Sequence, residues 1–141
     1  MASVIYNNGK AALLKNDMDG VTLKAILFDP PYTPDIDAEI YLDDVSANRA
    51  ANSTDITLTS VTITVNNTDD TCDIDFADIV TAAITTSYNA YGVYISTGVD
   101  STSELIGYIE TTDGVTTPKT FTSVGGVNTI TIPTGGAIKV T

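Results

Sequence analysis

Eighteen carboxylates, six basic side chains and no histidine make acid–base chemistry the first possibility to weigh in this 141-residue chain. The acids fall in small groups: Asp35 and Asp37, Asp43 and Asp44, Asp69 and Asp70, and Asp73, Asp75 and Asp78. A glycosidase-type reaction needs two carboxylates about 5–10 Å apart in a shaped cleft. Sequence spacing alone supplies no such cleft, and tryptophan, a common sugar platform, is absent. Asp73-x-Asp75-x-x-Asp78, with Asp69 and Asp70 nearby, offers hard oxygen ligands for calcium. The central glycine and closing glutamate of an EF-hand loop are missing, however. With no histidine there is no Ser–His or Cys–His pair, so the single Cys72 reads as a small strand or core residue, not a nucleophile. One cysteine also excludes an intrachain disulfide and a multi-cysteine zinc site. The pairs Gly125-Gly126 and Gly135-Gly136 match neither a Walker nor a dinucleotide pattern. The acids are therefore read as turn formers and solvating groups. The expectation is a non-enzymatic protein with no catalytic residues, no cofactor and no resident metal.

The elements that position these residues are organised around Val21–Val45. Val21, Leu23, Ala25 and Leu27 alternate with Thr22, Lys24, Ile26 and Phe28 as in a strand, and Asp29-Pro30-Pro31 stops it, because proline has no N–H for the ladder. Upstream, Ser3–Asp17 is the one helix candidate, forming a cap over residues 1–20. Downstream, 46–53 is small and polar, as in a mobile surface loop. Threonine then alternates with Ile, Val or Leu to the C-terminus. The apolar phase flips at Ser60, which predicts a bulge or a short turn between two strands. Ile84–Thr97 is the longest strand candidate, with Tyr88 and Tyr94 on one face and Tyr91, Val93 and Ile95 on the other. Two apolar faces imply that both are covered, and another subunit could supply one cover. Eight or nine short strands joined by turns predict a single mainly β domain over 1–141. The expected form is an antiparallel β-sandwich or jelly-roll-like domain over 21–141, with one short N-terminal helix.

A net charge of −12 argues against a surface that tracks phosphates, so no direct nucleic-acid partner is expected. No apolar run approaches a membrane span, and MASVIYNNGK lacks the charged and apolar regions of a secretory signal. Synthesis in the cytoplasm as a soluble chain, with no membrane partner, is the expectation.

Val4-Ile5-Tyr6-Asn7, a short helix, the strand Leu23–Phe28, Tyr32-Thr33-Pro34-Asp35-x-Asp37 and Leu42-x-Asp44-Val45 follow one another in order. Phe76-Ala77-Asp78, the strand Tyr88–Thr97 ending at Gly98, and Leu105-Ile106-Gly107-Tyr108-Ile109 come after them. In this order the chain resembles a family of small tailed-bacteriophage virion proteins found among the head-related structural proteins. It departs from that pattern at Ala50–Asp55, where the family has a Gly-Thr-Gly-Tyr type turn, and near Ile79-Val80, where the family often has a tryptophan.

The resemblance implies a virion component made in the host cytoplasm. Within that class, a capsid decoration (cement) protein that binds the major capsid protein shell as a homo-oligomer, a trimer or dimer, is the expected role. Sheet edges and the loops 29–37 and 46–55 are expected to make the contacts, with Tyr32, Asp35, Ile36, Asp37 and Asn52 as interaction residues. A tail, head–tail connection or fibre-anchor component is the nearest alternative. A carbohydrate-binding adhesion module using Tyr32, Tyr41 or Tyr91 as sugar platforms is the alternative from another class.

Overall fold

Strand β2 (Leu23–Phe28) runs through the middle of the molecule and is buried along nearly its whole length. A computed structural model describes residues 3–5, 20–66, 71–112, 119–133 and 136–140. β2 pairs antiparallel with β8 (Ala90–Ile95), from Leu23 opposite Ile95 to Phe28 opposite Ala90. β8 in turn pairs with β9 (Leu105–Glu110), where a register shift makes Ile106 an extra residue opposite the step from Val93 to Tyr94. β1 (Ser3–Ile5) and β3 (Ile56–Thr57) close the two edges of this five-stranded sheet, in the order β1-β9-β8-β2-β3.

The second layer is made of shorter pieces, all antiparallel. β4 (Thr62–Asn66), β5 (Thr71–Asp75) and β12 (Ile138–Val140) form three strands, with β5 central. β6 (Ile79–Val80) pairs with β11 (Thr129–Ile130), and β7 (Ile84–Tyr88) with β10 (Phe121–Gly126). Leu23, Ala25, Leu27, Tyr91, Val93 and Ile109 from the five-stranded sheet meet Ile74, Phe76, Ile79, Ile84, Tyr88, Ile130 and Ile138 in one apolar cluster. The fold is mainly β and antiparallel, in a sandwich-like arrangement, as the alternating pattern predicts. Burying each of these larger side chains contributes about 1.5–3 kcal/mol, so this cluster is the main source of stability.

The opposite face of the five-stranded sheet carries Ile26, Phe28, Ala90, Tyr94, Leu105 and Tyr108. Its cover is the chain's own segment 29–50, which contributes Tyr32, Ile36, Leu42 and Val45, the last two from the single-turn helix α1 (Leu42–Val45). Both faces of β8 are covered, as the tyrosine pattern suggests, but the second cover is intramolecular.

Three other expectations need correction. Ser3–Ile5 is a strand paired with Gly107–Ile109, which suits its β-branched Val4 and Ile5, while 6–17, the rest of the expected helix, lie outside the described residues. Ile84–Thr97 is not one strand, because it breaks at Asn89. Before Asn89 the chain pairs with β10, and after it with β2 and β9, so Tyr88 and Tyr91 join the inter-layer cluster while Tyr94 faces the other way. Such switches split the chain into more strands than the eight or nine expected. The flip at Ser60 is one of them: Ser60 takes φ 54° between β3 in the first layer and β4 in the second.

Candidate functional site

The expected interaction loop is held from within. Tyr32 is 9% exposed, with its ring 4.4 Å from that of Phe28 and 6.0 Å from that of Tyr108. Its hydroxyl donates to Glu39 Oε2 at 2.6 Å, and the same oxygen accepts the Asp35 N–H at 2.9 Å. Asp35 Oδ1 accepts the N–H groups of Asp37 and Ala38, the local side-chain-to-backbone bonding that makes aspartate a turn former. Asp44 Oδ2 does the same for Ile40 and Tyr41, and these bonds hold its carboxyl below the usual range. Asp35 and Asp37 are exposed, and Ile36 is half-buried against the Phe28–Tyr108 cluster. Tyr32 therefore has little surface left to offer a partner.

Backbone bonds tie both ends of the cover down. The Leu42 N–H donates to Ser103 and the Leu105 N–H to Ile40, while the Asp29 N–H donates to Asn48 and the Ala50 N–H to Leu27, all at 2.8–2.9 Å. The stretch 46–53, expected as a mobile loop, is anchored too: Ala50 is buried and Arg49 bridges Phe28. Only its tip stands out. Asn52 is exposed, takes φ 59°, and its side-chain amide donates to the Thr85 carbonyl. Asparagine tolerates that left-handed backbone better than most residues.

Beside this anchored end lies an open cleft of about 440 Å³, lined in part by Lys24, Arg49, Asp55, Tyr94, Asp100 and Ser103. The Arg49 guanidinium donates from Nε and Nη2 to the two carboxylate oxygens of Asp55, at 2.8 and 2.9 Å. The Tyr94 hydroxyl donates to Asp55 Oδ2 at 2.8 Å. Burial, and then the bond to Asp55, push the Tyr94 phenol far up, and the same carboxylate raises Arg49, so the phenol stays neutral and the guanidinium charged across ordinary pH. Each group is spent on another, which makes the triad a clamp pinning 49–55 to β8. Sequence reading missed it. Arg49, one of six basic residues, and Asp55 six positions later were its visible halves, but Tyr94 comes from a strand 39 residues away.

The remaining acids are dispersed. Asp75 Oδ1 accepts the Phe76 N–H, Asp78 Oδ1 accepts the Ile132 N–H, and Asp73 lies 3.8 Å from the Lys139 ammonium. Among the described residues no three potential ligands group to hold a metal. Asp69 and Asp70 lie outside those residues.

A different region is uncharged. The chain carries no charge from Ile79 to Val99 or from Thr120 to Ile138, and parts of these stretches pair with each other as β6–β11 and β7–β10. Core packing explains the buried members. It does not explain the outer ones, where Val80, Ala82, Ala83, Val124 and Val127 stand exposed, Val124 at 85%. Polar residues would ordinarily occupy such positions on so acidic a protein.

No family model matches this chain, and neither a curated protein nor a solved structure matches it.

Proposed function

We propose that the chain is a structural protein of a tailed-bacteriophage virion, and within that class a capsid decoration protein that binds and stabilises the major capsid protein shell. The order of segments along the chain supports the class. The observation that supports docking is the uncharged, valine-bearing corner of β6, β7, β10 and β11 on a chain of net charge −12. A surface of that kind gains free energy by leaving water against a large partner. Repetition of sites on a shell then converts modest contacts into retention if the protein is oligomeric. Relative to the expectation from sequence, the contact moves from Tyr32 and its neighbours to this corner, with the exposed Asn52, bonded to Thr85, at its rim and Asp35 and Asp37 on the far side of the five-stranded sheet. The sugar-binding alternative loses two of its three platforms, since Tyr32 and Tyr91 are buried.

The test is direct. Purified protein added to expanded capsids lacking it should bind in hundreds of copies and raise their melting temperature or resistance to osmotic shock. Absence of affinity for capsids, with antibodies labelling only the tail, would overturn the capsid role in favour of a tail or neck component.

A further inference from the structure

We infer that the free edge of β10 is a self-association site, where two copies of this chain pair their β10 strands antiparallel about a two-fold axis. Among the described residues β10 has one hydrogen-bonded strand neighbour, β7, so its other edge offers unpaired backbone N–H and C=O groups. Natural edge strands are commonly guarded by a charge or a proline. Phe121-Thr122-Ser123-Val124 contains neither, and the bulge where Gly125 takes φ 74° comes only after it. The regular part of the edge is therefore left flat. Thr122 and Val124 point outward with Thr85, and the Ser87 hydroxyl lies 3.0 Å from that of Thr122, so the outer face is tied together by neutral groups alone. Val127 extends the apolar area beyond the strand, while Val80, Ala82 and Ala83 stay outside the pairing and remain for the shell contact proposed above.

Charge selects the occupant. Two copies bring −12 each, and any contact through their acidic surfaces is repulsive. A basic partner would be drawn to those acidic surfaces instead. A like-charged second copy needs a surface without acids, and Thr122 and Val124 of β10 with Thr85 and Ser87 of β7 provide one. Antiparallel pairing of identical strands is self-complementary under a two-fold, so the contact closes at two copies instead of growing into a fibre. Each two-stranded β10–β7 sheet becomes half of a continuous four-stranded one. This pairing does not depend on the virion reading and would hold for a soluble chain in isolation.

Sedimentation velocity of the full-length protein, from low to high micromolar concentration, reads the assembly. The expected species is a dimer whose dissociation constant tightens several-fold as added salt screens the like charges. Val124→Glu should weaken dimerisation by about tenfold or more, because a two-fold contact counts each substitution twice. Its far-UV circular dichroism should match the parent, while Val124→Thr, neutral and β-branched, should keep most of the association. Amide exchange at Phe121–Val124 of the unaltered protein should slow as its concentration rises, a readout that needs no variant. A monomer at every concentration, a trimer, a dimer that loosens with salt, or exchange independent of concentration would each overturn the proposal.

Discussion

The covering segment 29–50 and the corner built from β6, β7, β10 and β11 lie on opposite sides of the five-stranded sheet, and their roles are the reverse of their appearance. The segment has two adjacent prolines, scattered acids and a helix of one turn, as a docking loop would. Yet its Tyr32, Ile36, Leu42 and Val45 pack inward and its turns are closed by Asp35 and Asp44. The corner has the regular alternation of ordinary strands, and it leaves Val80, Val124 and Val127 in water. Irregular backbone is thus no guide to which surface is free. What separates them is where the acids lie: Asp35 and Asp44 bond turn N–H groups in the segment, whereas the strands β6, β7, β10 and β11 carry none.

That contrast predicts that changes beneath or within the cover reduce folding stability, whereas changes at the corner spare it. The largest loss should come from alkali. Tyr88, Tyr91, Tyr94 and Tyr108 all have their phenols raised above the ordinary 10.0, with burial as the first cause. A group whose folded value lies above its unfolded one stabilises fully below the unfolded value, and that contribution is lost as pH climbs from there towards the folded value. Cooperative unfolding should therefore accompany phenolate formation above about pH 10, as followed by circular dichroism and tyrosinate absorbance.

Next comes Gly92→Ala. A Cβ on Gly92 would stand 2.7 Å from Phe28 Cε2 and 3.1 Å from Ile26 Cγ2, and the Phe28 ring is itself packed against Tyr32 and Tyr108. Overpacking of this kind costs about 2–3 kcal/mol, read as a shift in denaturation midpoint. Asp55→Ala should cost about 2 kcal/mol in the same measurement, because it leaves Arg49 and the Tyr94 hydroxyl without their shared acceptor. Tyr32→Phe keeps the ring and loses the bond to Glu39, for about 1 kcal/mol. At the bottom stands Val124→Glu, measured where the chain is monomeric, with a change within about 0.5 kcal/mol. A Tyr32→Phe variant as stable as the parent, together with a markedly destabilised Val124→Glu, would break the contrast.

Much of the architecture was legible in the residues. Leu23–Phe28 alternates, Asp29-Pro30-Pro31 ends it, and the phase flip at Ser60 marks a passage between layers. Asn89 was not legible, because Tyr88 and Tyr91 are equally suited to either sheet, and only pairing with Phe121 or Leu27 separates them. The cover was hidden for a related reason. Tyr32, Leu42 and Val45 have no strand or long helix periodicity, so their shared direction follows from long-range bonds such as Leu42 N–H to Ser103. The clamp of Arg49, Asp55 and Tyr94 depends on that same folding-back. The uncharged stretches from Ile79 and from Thr120 are plain in the sequence, but that they pair with each other, leaving Val124 outside, is a fact of topology.

Native-state amide hydrogen exchange tests most directly whether the cover belongs to the fold. The Leu42 and Ala50 amides, bonded to Ser103 and Leu27, should exchange as slowly as Val93 in the central sheet, through global unfolding alone. Exchange at Leu42 and Ala50 at the rate of an open loop, with Val93 still protected, would contradict the account and return segment 29–50 to the role of a free docking loop.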